Sequence, residues 1–500
     1  MLCLALASVL GDDKVSFPGS KVYELSLASY FSQQEAQVKP LCIVTPATAQ
    51  DVAVAIKTLT LSTAANANTS LKEPNGSKEQ HVDRENYLPF AVRSGGHAGF
   101  AGAANIADGV TLDLSSLHDI VVSADRSTVS VGVGATWGDV YAALEPLGLM
   151  VAGGRAAQVG VGGLVTGGGI SFFSPRYGWT CDTVSSFEVI LANGTVVHTG
   201  RGDITVAGLE GSGSAALGVA LRGGSNNFGV VTRVDLDAFE QGQVWGGIVY
   251  HDLSTIDQQL KAFSDFSSAP DYDEYASLIM SFGFASGQGA AVVNNIEYTK
   301  AVENPPVFAA LMNIPSLHST VRLTGMTDIS KEQGSMAPDG RRQLSVVTTH
   351  GSTIHMLNAT YTAWSQSLAT VEDIPGIVWS ISLEPLPPAI YARNARSNAL
   401  GLEDRSAPLV VVLLTATWTA AEDDSAVQKA ARGLFDAIEN EARRLESYDS
   451  FVYLNYAAPW QKPLGSYGEQ RVDFLKRVRD GVDPKGIFTH YVPGGFKLPR

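Results

Sequence analysis

The sequence predicts an α+β protein of two domains, with a tail that returns to the first. Three observations lead there. The chain has 500 residues, more than one simple core accommodates. Of its 50 glycines, 17 fall between residues 91 and 169. They follow no G-X-Y period, so that stretch reads as many backbone turns gathered near one ligand rather than as a fibre. Near residue 240 glycine thins out, and longer strands alternate with longer helices. The expected divisions are a ligand-binding domain over 1–237, an α+β domain over 238–450, and a C-terminal segment over 451–500.

The elements follow in order. PLCIVTPATAQDVAVAIKTLT (40–60) is a short β-rich run ended by Pro46. Thr48 then caps a helix with Val52, Ala55, Ile56 and Leu59 on its apolar face. Residues 61–85, rich in Asn, Ser, Lys and Glu, read as an exposed loop. LPFAVRSGGH is strand then turn, GVTLDLSSL a strand, and TVSVGVGATWGDVYAALEPLG a strand leading into a helix. In VSSFEVILANGTVVHTG the pair Asn193–Gly194 between β-rich runs marks a hairpin. Beyond residue 240, VWGGIVYHD, AAVVNNIEYTK, RQLSVVTTH, GIVWSISLEPLP and APLVVVLLTATWT read as strands. A long amphipathic helix over roughly 420–446 follows, then FVYLNY and a helical tail.

Composition narrows the function. Apolar residues make up 45% and charged residues 17%, the balance of a folded globular chain. Lys+Arg 35 against Asp+Glu 50 gives a net charge of −15, which does not suit a polyanion, so nucleic acid is not an expected partner. The opening MLCLALASVL is apolar but short and lacks a basic flank, and no stretch is long enough to span a bilayer. Cys3, Cys42 and Cys181 lack metal-site spacing. Cys3 and Cys42 read equally as a disulfide or as two buried thiols. Four glycosylation sequons start at Asn68, Asn75, Asn193 and Asn358. With a disulfide they lean toward a secretory route; a cytoplasmic location is the other reading.

Two glycine clusters carry the chemistry, SGGHAG (94–99) and VGVGGLVTGGG (159–169). Successive bare N–H groups cradle phosphates. Neither cluster is a mononucleotide loop, because no G-x-x-x-x-G-K-[ST] occurs. Neither fits G-x-G-x-x-G followed by an acid about 20 residues on. Two separated clusters suit an extended dinucleotide; tight turns in a small sheet are the plainer alternative.

RSGGHAGFAGAANIADGVTLDLSSL, VSVGVGATWGDVYAAL, VAGGRAAQVGVGGLVTGGGISFFSPRYGWTCDTVSSFEVILANG and LRGGSNNFGVVTRVDL together resemble the FAD-binding domain of the vanillyl-alcohol-oxidase superfamily, in its berberine-bridge-enzyme-like, fungal branch. YLNY, PLGSYGEQ and DPKGIFTHYVPGGFKL match the same branch. The resemblance implies a PCMH-type flavoprotein: an FAD-binding domain of two small α/β subdomains, and a substrate domain with an antiparallel sheet flanked by helices. It implies an FAD-linked oxidoreductase that moves a hydride from a small organic substrate to flavin. Oxygen then reoxidises the flavin and gives hydrogen peroxide. It places His97 on the flavin 8α-methyl as a covalent link, for which the imidazole must be unprotonated. Family members with a second, cysteinyl link start a C-x-x-V-G-x-G-G stretch with that cysteine. Here Ala156 stands there, so one link is expected.

By the same resemblance Arg93, Ser94, Gly95, Gly96, His97, Ala98 and Gly99 hold the pyrophosphate and ring. Gly162, Gly163, Gly167, Gly168 and Gly169 line the cofactor, Val230 backs it, and Asn455 bonds the pyrimidine edge. Read as a strand, YLNY puts Tyr453 and Asn455 on one face and Leu454 and Tyr456 on the other. Tyr453 or Tyr456 takes the substrate proton, with Tyr453 preferred and His350 and Glu384 behind. The Glu-Pro context makes Glu384 look structural. Tyr298, Trp364 and Trp379 are candidate walls, with core packing the preferred reading for each. Segment 201–221 departs from the family's pattern, and looser packing beneath Gly223–Gly224 is the expected result. A redox-neutral cyclase and a non-catalytic flavin carrier remain as rival readings.

Overall fold

A computed structural model describes residues 2–67, 88–200 and 213–499. Two hydrophobic cores organise it. The first lies among three small sheets. A four-stranded sheet runs Val15–Ser16, Cys42–Val44, Val110–Asp113, Phe90–Arg93, parallel across its last three strands. A five-stranded antiparallel sheet runs Ile120–Val122, Thr128–Gly132, Val230–Asp237, Val184–Ile190, Val196–His198. Leu149–Met150 pairs with Phe239–Glu240. The Asn193–Gly194 turn closes the expected hairpin, with Gly194 at φ 74°. Thr48 Oγ1 caps helix Ala49–Ala67 by accepting from Asp51 N–H at 3.1 Å. That helix runs past residue 61, where a loop was expected. Cys3 and Cys42 are joined in a disulfide. It fastens helix Leu2–Leu10, whose Leu6, Ala7 and Leu10 are buried in the first core.

The second core lies on one face of a nine-stranded sheet. Its long antiparallel strands run Val244–Asp252, Gly289–Tyr298, Ala276–Ala285, Val378–Leu386, Leu409–Trp418, Arg342–Gly351. Period-2 alternation splits their side chains. Leu278, Met280, Phe282, Trp379, Ile381, Leu383, Val412 and Leu414 meet helices Ile256–Ser267, Ile354–Ser367 and Asp424–Arg444. Ile279, Ser281, Ser380, Ser382 and Leu413 point the other way, into a cavity of about 540 Å³ shared with the first core's glycine turns. The C-terminal segment rejoins that core through Leu475, Val478, Phe488 and Val492. There Phe90 N–H donates to Tyr491 O at 2.8 Å, just ahead of the RSGGH turn.

Two expectations change and one holds. YLNY is no strand: Leu454–Tyr456 is a 3₁₀ turn. Side chains at i and i+3 eclipse in that turn, so Tyr453 and Tyr456 meet edge to face with ring centroids 4.8 Å apart. Trp364 and Trp379 are buried in the second core, on the helix side of the sheet. Tyr298 packs against the same core and donates to Asp273 at 3.2 Å. None of the three lines the cavity. Packing beneath Gly223–Gly224 is tight rather than loose. A Cβ on Gly223 would come within 2.7 Å of Leu400, and one on Gly224 within 2.6 Å of the Phe228 ring. Helix Gly213–Leu221 buries Leu217, Ala220 and Leu221, and residues 201–212 of the departing segment lie outside the described residues.

Candidate active site

The two glycine clusters touch. A Cβ on Gly95 would stand 2.6 Å from Gly160 Cα and 2.7 Å from Gly160 N. Both neighbours are backbone and cannot swing aside. Ser94 stitches the contact: its Oγ donates to Val133 O at 2.6 Å and accepts from Gly162 N–H at 3.1 Å. Gly96 has φ 67°, and a Cβ there would meet the Tyr30 ring at 2.7 Å. The result is a floor of bare backbone along one wall of the cavity.

His97 rises from this floor. Its ring stacks on Phe31 at 4.0 Å between centroids, 13° from parallel. Its Nε2 is buried and has no hydrogen-bond partner. Burial lowers its pKa to about 4, so the imidazole is neutral at ordinary pH. Ala156 also lines the cavity, at the position where the resemblance expects a cysteine in doubly linked relatives. Cys181 is fully buried away from the cavity, and burial pushes its thiol pKa up, so it is no substitute nucleophile.

Ser94, Gly95, Gly96, His97, Ala98, Gly99, Gly162, Gly163, Val230, Tyr453, Asn455 and Tyr456 all line the cavity. Arg93 does not. It turns inward, donates to Ser26 O at 2.6 Å and Ser29 O at 3.0 Å, and lies 3.8 Å over the Tyr30 ring. Gly167, Gly168 and Gly169 lie behind the wall. A Cβ on Gly167 would run into Asn455 Oδ1, and Gly169 N–H donates to Tyr453 Oη at 3.0 Å. These glycines seat the tyrosine and the asparagine. Asn455 Nδ2 donates to Leu164 O and to Tyr453 Oη, each at 3.0 Å.

His350 is buried and bonds Thr360 Oγ1 at 3.0 Å, outside the cavity. Glu384, a secondary candidate for the base whose Glu-Pro context looks structural, belongs to the wall. Its Oε2 accepts from Arg155 Nη2 at 2.8 Å, and its Oε1 accepts from Tyr456 Oη at 3.1 Å. Arg155 also donates to Tyr456 Oη. Burial pushes the Tyr456 pKa up; Arg155 opposes this and Glu384 reinforces it, so the phenol keeps its proton. Burial alone would lower the Arg155 pKa, but Glu384 and Tyr456 outweigh it and hold the guanidinium charged. Sequence reasoning missed Arg155; its one signal was a lone arginine inside a glycine–alanine run. Among the described residues, no group of three or more His, Cys, Asp or Glu side chains could hold a metal ion.

Comparison with known proteins agrees with this geometry. A family model described as an FAD binding domain matches residues 81–200. The protein named FAD-dependent monooxygenase tpcD, from Cochliobolus heterostrophus, is 35% identical over 490 residues, covering 95% of this chain and 88% of its own length. The protein named FAD-dependent monooxygenase sdcF, from Emericella nidulans, is 33% identical over 508 residues, covering 100% and 98%. "Oligopeptidase PhomG'" of Diaporthe leptostromiformis is 40% identical over 499 residues, 99% of this chain, but the chain spans only 37% of that longer protein. Two solved structures share the fold. One is 6-hydroxy-D-nicotine oxidase from Arthrobacter nicotinovorans, at TM-score 0.75 and 20% identity with 97% of each chain covered. The other is xylooligosaccharide oxidase from Myceliophthora thermophila C1, at TM-score 0.74 and 19% identity with 99% of this chain and 100% of that one covered.

Proposed function

Since the chain belongs to the FAD-linked oxidoreductases of the vanillyl-alcohol-oxidase superfamily, in its berberine-bridge-enzyme-like branch and of fungal type, we propose that it oxidises a small organic substrate by two electrons and releases hydrogen peroxide. The observation that carries this is the joining, in one cavity, of a neutral unpartnered histidine on a glycine floor with a buried tyrosine–carboxylate–arginine cluster. The cavity suits FAD. The Gly95–Gly160 contact keeps side chains off the floor, and His97 Nε2, buried and unpartnered, would be the nucleophile that holds the flavin ring. When bound, FAD supplies the acceptor for the electrons and hydrogen of a substrate C–H bond and hands the electrons to oxygen. His97 anchors it by a single covalent bond, because Ala156 offers no thiol for a second.

The chain's own work is the proton. A substrate hydroxyl gives its proton to Tyr456 Oη as the Tyr456 proton moves to Glu384 Oε1, 3.1 Å away. Glu384 is thus the terminal base and Tyr456 the relay. Arg155 holds both in register. Tyr453, favoured from sequence as the base, instead accepts from Gly169 N–H and Asn455 Nδ2 and shapes the wall. The Cys3–Cys42 disulfide and the exposed sequon residues Asn193 and Asn358 support a secretory location.

The names of the relatives favour a second reading, in which one oxygen atom enters the product and an external reductant supplies two electrons. Two measurements separate the readings. The first is acid precipitation of the protein with a His97→Ala control: yellow colour staying in the wild-type pellet and leaving the variant's supports the histidyl link. The second is turnover under labelled oxygen. One peroxide per oxygen consumed, with no label in the product, supports the oxidase. Label in the product establishes the monooxygenase, and product without oxygen uptake establishes a cyclase.

A further inference from the structure

The face of the sheet that closes the cavity is polar, and Glu384, its charged group among the described residues, is paired with Arg155. Ser281 Oγ and Ser382 Oγ share a hydrogen bond at 2.7 Å across paired strands, and Ser380 stands opposite Thr415. Ile279, Val293 and Leu413 lie between these hydroxyls on the same wall. Among the described residues, Arg155 and Glu384 are the only Asp, Glu, Lys or Arg residues that line the cavity, and they are spent on each other at 2.8 Å. A charged substrate would therefore enter without a counter-charge.

Asn295 is the exception in this satisfied surface. It stands on strand Gly289–Tyr298, lines the cavity and is 5% exposed. Its Nδ2 donates to Gln333 Oε1 on helix Met326–Ser335. Its Oδ1 is then buried with no donor. An amide oxygen left bare in a cavity is costly unless a ligand supplies an O–H or N–H. We propose that Asn295 is a specificity-determining residue: its Oδ1 accepts a hydrogen bond from a hydroxyl or N–H of an uncharged substrate whose apolar body lies against the sheet. The proposal rests on the reading of this cavity as the substrate chamber.

The test uses the flavin-loaded, full-length protein and three benzyl alcohols that differ only at the para position: hydroxyl, carboxylate or aminomethyl. Binding is followed by calorimetry and by the shift of flavin absorption, neither of which needs turnover. The hydroxyl probe is expected to bind at least ten-fold more tightly than either ion, about 1.4 kcal/mol. Asn295→Leu is expected to weaken the hydroxyl probe about ten-fold while leaving the carboxylate probe unchanged. Asn295→Asp is expected to move preference about ten-fold toward the aminomethyl probe, and it decides the matter if the leucine variant melts early. Equal affinity for the three probes, no binding by any of them, or an Asn295→Asp profile identical to wild type overturns the proposal. A protein that takes up no flavin overturns the cofactor reading instead, and the visible spectrum reports that before any probe is added.

Discussion

Tyr456 Oη lies 3.1 Å from Glu384 Oε1, although the two residues are 72 apart in the chain. The phenol sits between that carboxylate and the Arg155 guanidinium, both of them buried. A neutral phenol in this position passes a proton without becoming a stable phenolate. The sheet supplies the carboxylate and the C-terminal segment supplies the phenol, so the relay forms only when the tail is docked.

The relay has a measurable signature. Glu384→Gln and Tyr456→Phe should each lower kcat about 10²- to 10⁴-fold with flavin content unchanged. The double variant should lose little more than either single, since the two act in one proton path. Fully multiplicative losses in steady-state kinetics would show two independent roles.

His97→Ala should still bind flavin on the glycine floor but release it on denaturation. The acid supernatant should turn yellow and the fluorescent band on a denaturing gel should vanish. A fluorescent band that survives in the variant would move the attachment to another side chain.

The histidine also has a pH consequence in the flavin-free protein. Its pKa is about 4 in the fold and about 6.5 in an unfolded chain. Between those values the unfolded state binds the extra proton, so stability rises with pH. This contribution is fully present above pH 6.5 and is lost as pH falls toward 4. Melting temperatures measured from pH 4 to 7 should show a shallower slope in His97→Ala. Parallel slopes would mean the ring is not held neutral.

Gly160→Ala places a methyl group against the Gly95 backbone. Overpacking of this kind costs about 1–3 kcal/mol, and it pushes apart the two turns that form the floor. Flavin content per chain should drop sharply, a result read directly from the visible spectrum. Gly433→Ala, on helix Asp424–Arg444 away from the cavity, is the control, because nothing lies within 4 Å of a Cβ there. Flavin lost equally from both would mean that the loss does not come from the floor.

Reduction of the Cys3–Cys42 bridge, which spans a sequence separation of 39, should destabilise the first core. The loop-entropy relation puts the effect at about 4 kcal/mol at most. Cys3→Ser should therefore lower the denaturant midpoint, and dithiothreitol should affect wild type but not the variant.

Much of this protein was legible in one dimension. The glycine clusters, the RSGGH turn, Ala156 in the cysteine's place and the alternating strands are local patterns, and local patterns survive reading in order. His97 needed nothing but its neighbours in the chain to be singled out. The family resemblance also placed YLNY at the site, and its residues line the cavity, but reading it from sequence as a strand was a separate step. It misjudged the geometry, because a four-residue window does not distinguish a strand from a 3₁₀ turn when tertiary packing decides.

The rest was settled by contacts between distant segments. Glu384 looked structural beside its proline, and only the packing of sheet against tail makes it the partner of Tyr456. Arg93 looked like part of the cofactor turn, yet the carbonyls of Ser26 and Ser29, at the end of helix Lys21–Ala28, draw its guanidinium inward. Trp364 and Trp379 fit a core or a substrate wall by sequence, and strand parity decides for the core by sending Trp379 to the helix side, where Trp364 Nε1 donates to its carbonyl at 3.2 Å. Spacing determines which residues alternate and where the backbone is bare. Which face of a sheet meets a cavity, and which buried charge finds its counter-charge, depends on long-range packing that no short stretch encodes.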